Sequence, residues 1–176
     1  MTAMATLPAS GPGPREQFEA LYRSSAADVY AYVASLLRDR AAAEDVTSLA
    51  FERAFRRRAL FDVHRGSARA WLFAIARNAA LDELRRRRRT GALRHEVADE
   101  ADGAEDLDAQ LAERRMLVRD GLASLEPPER ELILLKFLGR LSNAELARVL
   151  GCSESSAGTR LHRAIERLRE ACGVTR

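Results

Sequence analysis

Thr159, Arg160, Arg163 and Arg167 follow one another at spacings of one, three and four residues, which sets them on one stripe of a helix. Leu161, Ile165 and Leu168 fall on the opposite stripe. A face of this kind suits a DNA major groove, where guanidinium groups pair with guanine edges or phosphate oxygens. Ser155, Ser156 and Thr159 are short and let the backbone approach a duplex. The same stripe also fits the solvated face of a bundle helix, and the helix alone does not separate the two readings. The punctuation ahead of it favours DNA. Ser142-Asn143-Ala144-Glu145 is an S-x-x-E capping box. Gly151–Cys152–Ser153 makes a tight turn, and Ser153 can cap the next helix. A short capped helix, a turn and a longer basic helix are the order of a helix-turn-helix.

Two further clusters invite chemistry. Arg85 to Arg89 is an unbroken arginine run. Like charges at i, i+4 oppose a helix unless an anion is near, and phosphate is one. The alternative is a disordered, solvated basic tail. Trp71 and Phe73 lie upstream, beside the ALFDVHRGS stretch of residues 59–67. Rings beside a basic surface can stack on unpaired bases, although a single Trp also serves as a core residue. His64, His95 and His162 are scattered. There is no nucleophile–base pair, paired-carboxylate spacing or glycine-rich phosphate loop. No catalytic residue, metal ligand or cofactor is therefore expected, and the chain reads as a non-enzyme. Cys152 and Cys172 form no disulfide framework and no zinc spacing. They fit a reduced cytosol and read as structural thiols rather than a redox switch.

The elements that must position these residues are all helical. Residues 15–38 place Phe18, Leu21, Tyr22, Val29, Val33, Leu36 and Leu37 at helical spacings, with Ser24–Ser25 as a candidate kink. Residues 41–58 begin with acids and end in Arg56–Arg57–Arg58, as the helix dipole prefers. Val46, Leu49, Ala50 and Ala54 are its expected core face. Ser67 is a candidate N-cap for a long helix from Ala68 to Arg89. Downstream, residues 107–125 carry Leu111, Val118, Leu122 and Leu125 at helical spacings. Pro128 starts a helix that stops at Gly139, the expected C′ residue. A final helix runs from Ser153 to about Ala171. No strand-like alternation appears, so the fold class is all-α.

Charge divides the 176-residue chain further. Residues 1–89 carry +6, residues 90–113 carry −7 and residues 114–176 carry +4. The expected organisation is a disordered Pro/Gly-rich arm at 1–14, a helical domain at 15–89, a flexible acidic linker at 90–110 and a second helical domain at 111–176. The bases are 28 Arg against Lys136 alone, a bias that genomic composition can produce. No apolar run is long enough for membrane insertion. Two rival readings remain: a stand-alone helix-turn-helix regulator, and a helical adaptor whose basic faces bind acidic partners.

FEALYRSSAADVYAYV, DRAAAEDVTSLAFERAFR, ARAWLFAIARNAALDELRRRRR and LEPPERELILLKFLGRLSNAELARVLGCSESSAGTRLHRAIERLRE stand in this order. Together they resemble the extracytoplasmic-function (ECF) class of bacterial RNA polymerase sigma factors. The resemblance implies a region-2 domain and a region-4 domain around the linker. It implies that the protein binds the clamp helices and flap of core RNA polymerase in the cytoplasm, recognises promoter DNA and helps melt it. It places Asp45, Arg53, Arg56 and Arg57 on the polymerase-binding helix. It places Phe61, Asp62, Val63, His64 and Arg65 in the loop that captures a flipped base of the −10 element, bordered by Trp71, Arg77 and Asn78. It assigns Ser155, Ser156, Thr159, Arg160, Arg163 and Arg167 to the −35 duplex. It also implies control by an anti-sigma factor. The sequence departs from the family pattern at Ser48 and Leu49, where Gln-Glu is frequent, and at Gly158, where lysine is frequent.

Overall fold

The computed structural model describes residues 13–90 and 109–174. The expected N-terminal arm, apart from Gly13 and Pro14, and most of the acidic strip lie outside the described residues. The described residues form seven α-helices: α1 (Pro14–Leu37), α2 (Arg40–Arg57), α3 (Ala68–Thr90), α4 (Ala109–Ser124), α5 (Pro127–Phe137), α6 (Asn143–Leu150) and α7 (Glu154–Ala171). Two short 3-10 turns, Arg58–Leu60 and Val63–Arg65, separate α2 from α3.

Helices α1, α2 and α3 pack mutually. Their core holds Val29, Tyr32 and Val33 from α1, Val46, Ala50 and Phe51 from α2, and Leu72, Phe73 and Ala76 from α3. Each large side chain buried here contributes about 1.5–3 kcal/mol by leaving water. Alanines at 43, 50, 54, 76, 79 and 80 are also buried, and their small size lets the helices approach closely. Ring pairs Tyr22–Phe51 and Tyr32–Phe73, with centroids 4.7 Å and 5.5 Å apart, add edge contacts. Helix α1 runs without interruption through Ser24 and Ser25, where a kink is a candidate in sequence. Asp39 caps α2, accepting from the Ala42 amide at 3.1 Å.

The second unit is built on leucine. Leu132, Ile133 and Leu135 of α5 meet Leu141, Leu146 of α6, and Ala157, Leu161 and Ala164 of α7. Helix α4 packs mainly on α7. Its Leu125-side end is covered, but Leu111, Met116, Leu117 and Val118 stay exposed. The helical spacing of Leu111 and Val118 therefore does not mark a buried face. At the end of α5, Gly139 follows the Leu138 cap and is the expected C′ residue. Gly139 has no left-handed backbone; Arg140 adopts it instead, at φ 53°. Gly139 serves close packing: a Cβ there would stand 2.4 Å from the Leu135 carbonyl oxygen.

Candidate nucleic-acid interface

The helix-turn-helix is held by the caps its sequence announces. Ser142 Oγ accepts from the Glu145 amide at 3.2 Å, and the Glu145 carboxylate accepts from the Ser142 amide at 2.9 Å. Gly151 ends α6 in a left-handed conformation at φ 68°. Ser153 Oγ then accepts from the Ser156 amide at 3.2 Å and starts α7. Ala157, Leu161 and Ala164 anchor α7 inward. Ser155, Thr159, Arg160 and Arg163 lie exposed on the outer side, and Ser156 is half-buried at the edge. Arg167 is exposed but donates to the Glu129 carboxylate of α5, which raises the affinity of its guanidinium for its proton. It therefore ties α7 to α5, while Arg160 and Arg163 point outward with no such tie among the described contacts. Glu129 is the residue that sequence reasoning missed here. A Cβ on Gly158 would meet Asn143 Nδ2 at 3.7 Å, an ordinary contact, so this position has room for a side chain.

The second surface is irregular. Phe61 is half-buried, and its ring centroid lies 5.5 Å from that of Trp71. Asp62 accepts from the His64 amide at 2.9 Å, closing an Asx turn. Asp62, Val63 and His64 are exposed, and the backbone of Arg65 completes the second 3-10 turn. Ser67 caps α3 as expected, accepting from the Ala70 amide at 3.1 Å. A cavity of about 440 Å³ lies over this platform, lined by Phe61, Asp62, Ser67, Trp71 and Ala74. Its opposite wall is α6, through Glu145, Arg148 and Val149. Trp71 is half-buried: it packs against the core and also lines the pocket. Asn78 is exposed, two turns beyond Trp71 on α3. Arg77 is not brought to the pocket. It forks onto Glu131 of α5, at 2.8 Å and 3.2 Å.

The arginine run is helical and has carboxylate anions beside it. Helix α3 continues through it to Thr90, so it is not a disordered tail. Its repulsion is relieved by carboxylates: Arg85 pairs with Asp82, Arg86 with Glu83, and Arg87 with both Glu83 and Asp39. The hydrogen bonds from Arg86 and Arg87, acting against burial, hold the Glu83 carboxyl down at about 2. Arg88 and Arg89 remain exposed. On α2, Asp45, Arg56 and Arg57 are exposed; Arg56 pairs with Glu52 at 2.6 Å, and Arg53 reaches Asp82 of α3 at 3.9 Å. Cys152 and Cys172 are free and half-buried. Among the described residues, no cluster of His, Cys, Asp and Glu could hold a metal, and no helix is long and apolar enough to cross a membrane.

Comparison with known proteins matches both helical units. Residues 21–90 match the family model described as Sigma-70 region 2, and residues 115–168 match Sigma-70, region 4. The ECF RNA polymerase sigma factor SigL of Mycobacterium tuberculosis is 32% identical, over 98% of this chain and all of its own length. The RNA polymerase sigma factor CarQ of Myxococcus xanthus is 34% identical over 92% of each chain. Among solved structures, the sigma factor RpoE in complex with the anti-sigma factor NepR from Bartonella quintana superposes at TM-score 0.73. That match has 26% identity and covers 91% of this chain and 99% of the other. With the two regions matched in this order and a relative aligned end to end, the chain belongs to the ECF RNA polymerase sigma factors.

Proposed function

We propose that this sigma factor divides promoter recognition between its two surfaces. Helix α7 reads the −35 duplex with Thr159, Arg160 and Arg163, while Ser155 and Ser156 bring its start close to the backbone. The platform of Phe61–Arg65, with Trp71 and Asn78, captures an unpaired base of the −10 strand. Extracting a base from the stack costs a few kcal/mol, and an aromatic-walled pocket can return that energy by stacking. Helix α2, through Asp45, Arg53, Arg56 and Arg57, is the surface offered to the clamp helices of core polymerase, and the second unit is offered to the flap. The protein acts in the cytoplasm, without a cofactor, and comes under an anti-sigma factor, as its structural neighbour does in its complex with NepR.

The observation that carries this reading is one chain presenting both a capped helix-turn-helix with outward arginines and, beside a short loop, a pocket lined by Phe61 and Trp71. A duplex-binding regulator has use for the first only. Permanganate footprinting on promoter DNA tests the division. Replacing residues 61–65 or changing Asn78→Ala leaves core binding intact and abolishes the reactivity of melted thymines. Full reactivity in both variants removes the pocket's role.

A further inference from the structure

The arginines that end α3 do not form one surface. Arg86 and Arg87 fold back on Glu83, and Arg87 also reaches Asp39, so both hold the first unit together. Arg88 and Arg89 are exposed and make no hydrogen bond or ion pair among the described residues. Arg85 pairs with Asp82 at 3.3 Å, and Asp82 also stands 3.9 Å from Arg53. That exposed trio therefore keeps a net positive charge.

Helical geometry decides which of these cations belongs with the pocket. Each residue of an α-helix advances about 100° around the axis. Asn78 and Arg85 follow Trp71 by 7 and 14 residues, and Arg89 follows it by 18. All four lie within about 40° of one line along α3. Asp82 is on the same line, with its charge answered by Arg85 and Arg53. Arg88 lies about 100° off it. The line starts at the cavity lined by Phe61 and Trp71. It ends at Arg89, about 16 Å beyond Asn78 along the axis. From Asn78 onward its residues are exposed. The helix dipole favours arginine in a last turn, but Arg86, Arg87 and Arg88 serve it equally well. It does not account for two cations at i, i+4 on the Trp71 line, where their repulsion opposes the helix. A polyanion lying along that line relieves it. The chain leaves α3 at Thr90 for the unit assigned to the −35 duplex, so the Arg89 end is the upstream end.

We propose that Arg85 and Arg89 grip backbone phosphates of the duplex just upstream of the captured base. The outer line of α3 is then a track, with base capture at its Trp71 end and a phosphate grip at its Arg89 end. The proposal rests on the assignment of the Phe61–Trp71 pocket and Asn78 to unpaired DNA. The grip falls roughly five base pairs from Asn78, at 3.4 Å per base pair. Phosphate contacts carry no sequence information; they fix register and orientation. Here they hold the duplex edge in place while a base is out of the stack.

The test uses holoenzyme, assembled from core polymerase and the full chain, and a promoter fragment that gives a defined start. Two probes are made from that fragment: a fork with the upstream duplex and an unpaired −10 strand, and the unpaired −10 strand alone. Affinity is measured across a salt series for wild type, Arg89→Gln, Arg85→Gln/Arg89→Gln, Arg88→Gln and Asn78→Ala. Each lost phosphate contact lowers the slope of log affinity against log salt by about 0.9. On the fork, Arg89→Gln should therefore lose about 0.9 and the double variant about 1.8, with affinity about tenfold weaker in the double. Arg88→Gln, with the same charge and exposure but off the line, should stay within about twofold of wild type. On the strand alone, every arginine variant should stay within about twofold. An unchanged slope in the double variant overturns the grip, as does an equal loss in Arg88→Gln or an equal loss on the strand without duplex. If circular dichroism shows helix loss in the double variant, Arg89→Gln, which removes no ion pair, is scored alone by the same slope. Asn78→Ala should weaken both probes. If it weakens neither while the arginine variants behave as expected, the pocket assignment fails and the phosphate grip stands.

Discussion

Helix α7 and the 58–67 segment, the two surfaces proposed to meet nucleic acid, present their side chains in two different ways. On α7 the backbone satisfies itself, Ser153 closes its first turn, and Ala157, Leu161 and Ala164 hold it from behind. Its outward residues follow from the 3.6-residue period alone. The 58–67 segment has only two short 3-10 turns and one Asx turn, and Leu60 and Val63 are 77% and 70% exposed. Its shape comes from what lies beneath it: Trp71 against Phe61, and Phe73 and Leu72 sealed into the core. On the proposed division of labour, a regular duplex is met by a regular element, and a distorted strand by an irregular one propped on a rigid helix.

The largest expected effect breaks that support. Phe73 is fully buried against Tyr32, and Phe73→Ala should cost about 3–5 kcal/mol in urea unfolding of the first module. Strand binding should be lost with it, while the caps of α7 are untouched. Arg87→Ala comes next. It takes one of two arginines from Glu83 and the ion-pair partner from Asp39, both largely covered, and should destabilise by about 1–3 kcal/mol in the same measurement. Arg160→Ala sharpens the comparison from the other side. It should cost about 1–3 kcal/mol of −35 duplex binding in a gel shift and leave single-strand affinity unchanged. Ser153→Ala should remove about 1 kcal/mol of stability by fraying the start of α7, read as faster amide exchange at Ser156 and Ala157.

A pH dependence carried by Glu83 probes the first module separately. Glu83 is held at about 2 against an ordinary 4.5, and Asp39 is also lowered, chiefly by the Ala42 amide and then by Arg87. A depressed carboxyl stabilises the fold above its unfolded value and gives that stability up as pH falls. The gap in unfolding free energy between wild type and Glu83→Gln should therefore be full above about 4.5 and close as pH falls toward 2.

The asymmetry also decides what could be read in advance. Every cap of the helix-turn-helix is a local contact between residues three apart, so Ser142, Glu145, Gly151 and Ser153 stand in the sequence as plainly as in the structure. So do Val46, Ala50 and Ala54, which follow the helical period into the core. Glu129, Glu131 and Arg77 do not. Their partners lie 38 and 54 residues away, and nothing in local spacing distinguishes a carboxylate that will meet an arginine from one that will meet water. One of the anions beside the arginine run is hidden for the same reason, because Asp39 reaches Arg87 from 48 residues upstream. Leu111 and Val118 show the reverse failure: a helical apolar period that stays exposed among the described residues.

The most direct test is run-off transcription with purified core RNA polymerase, this protein and a library of promoter fragments. The account predicts transcripts with defined 5′ ends that appear only when the protein is added, and that vanish with the 61–65 replacement while the protein still co-purifies with core. A protein that binds core polymerase yet yields no defined start on any fragment would contradict it.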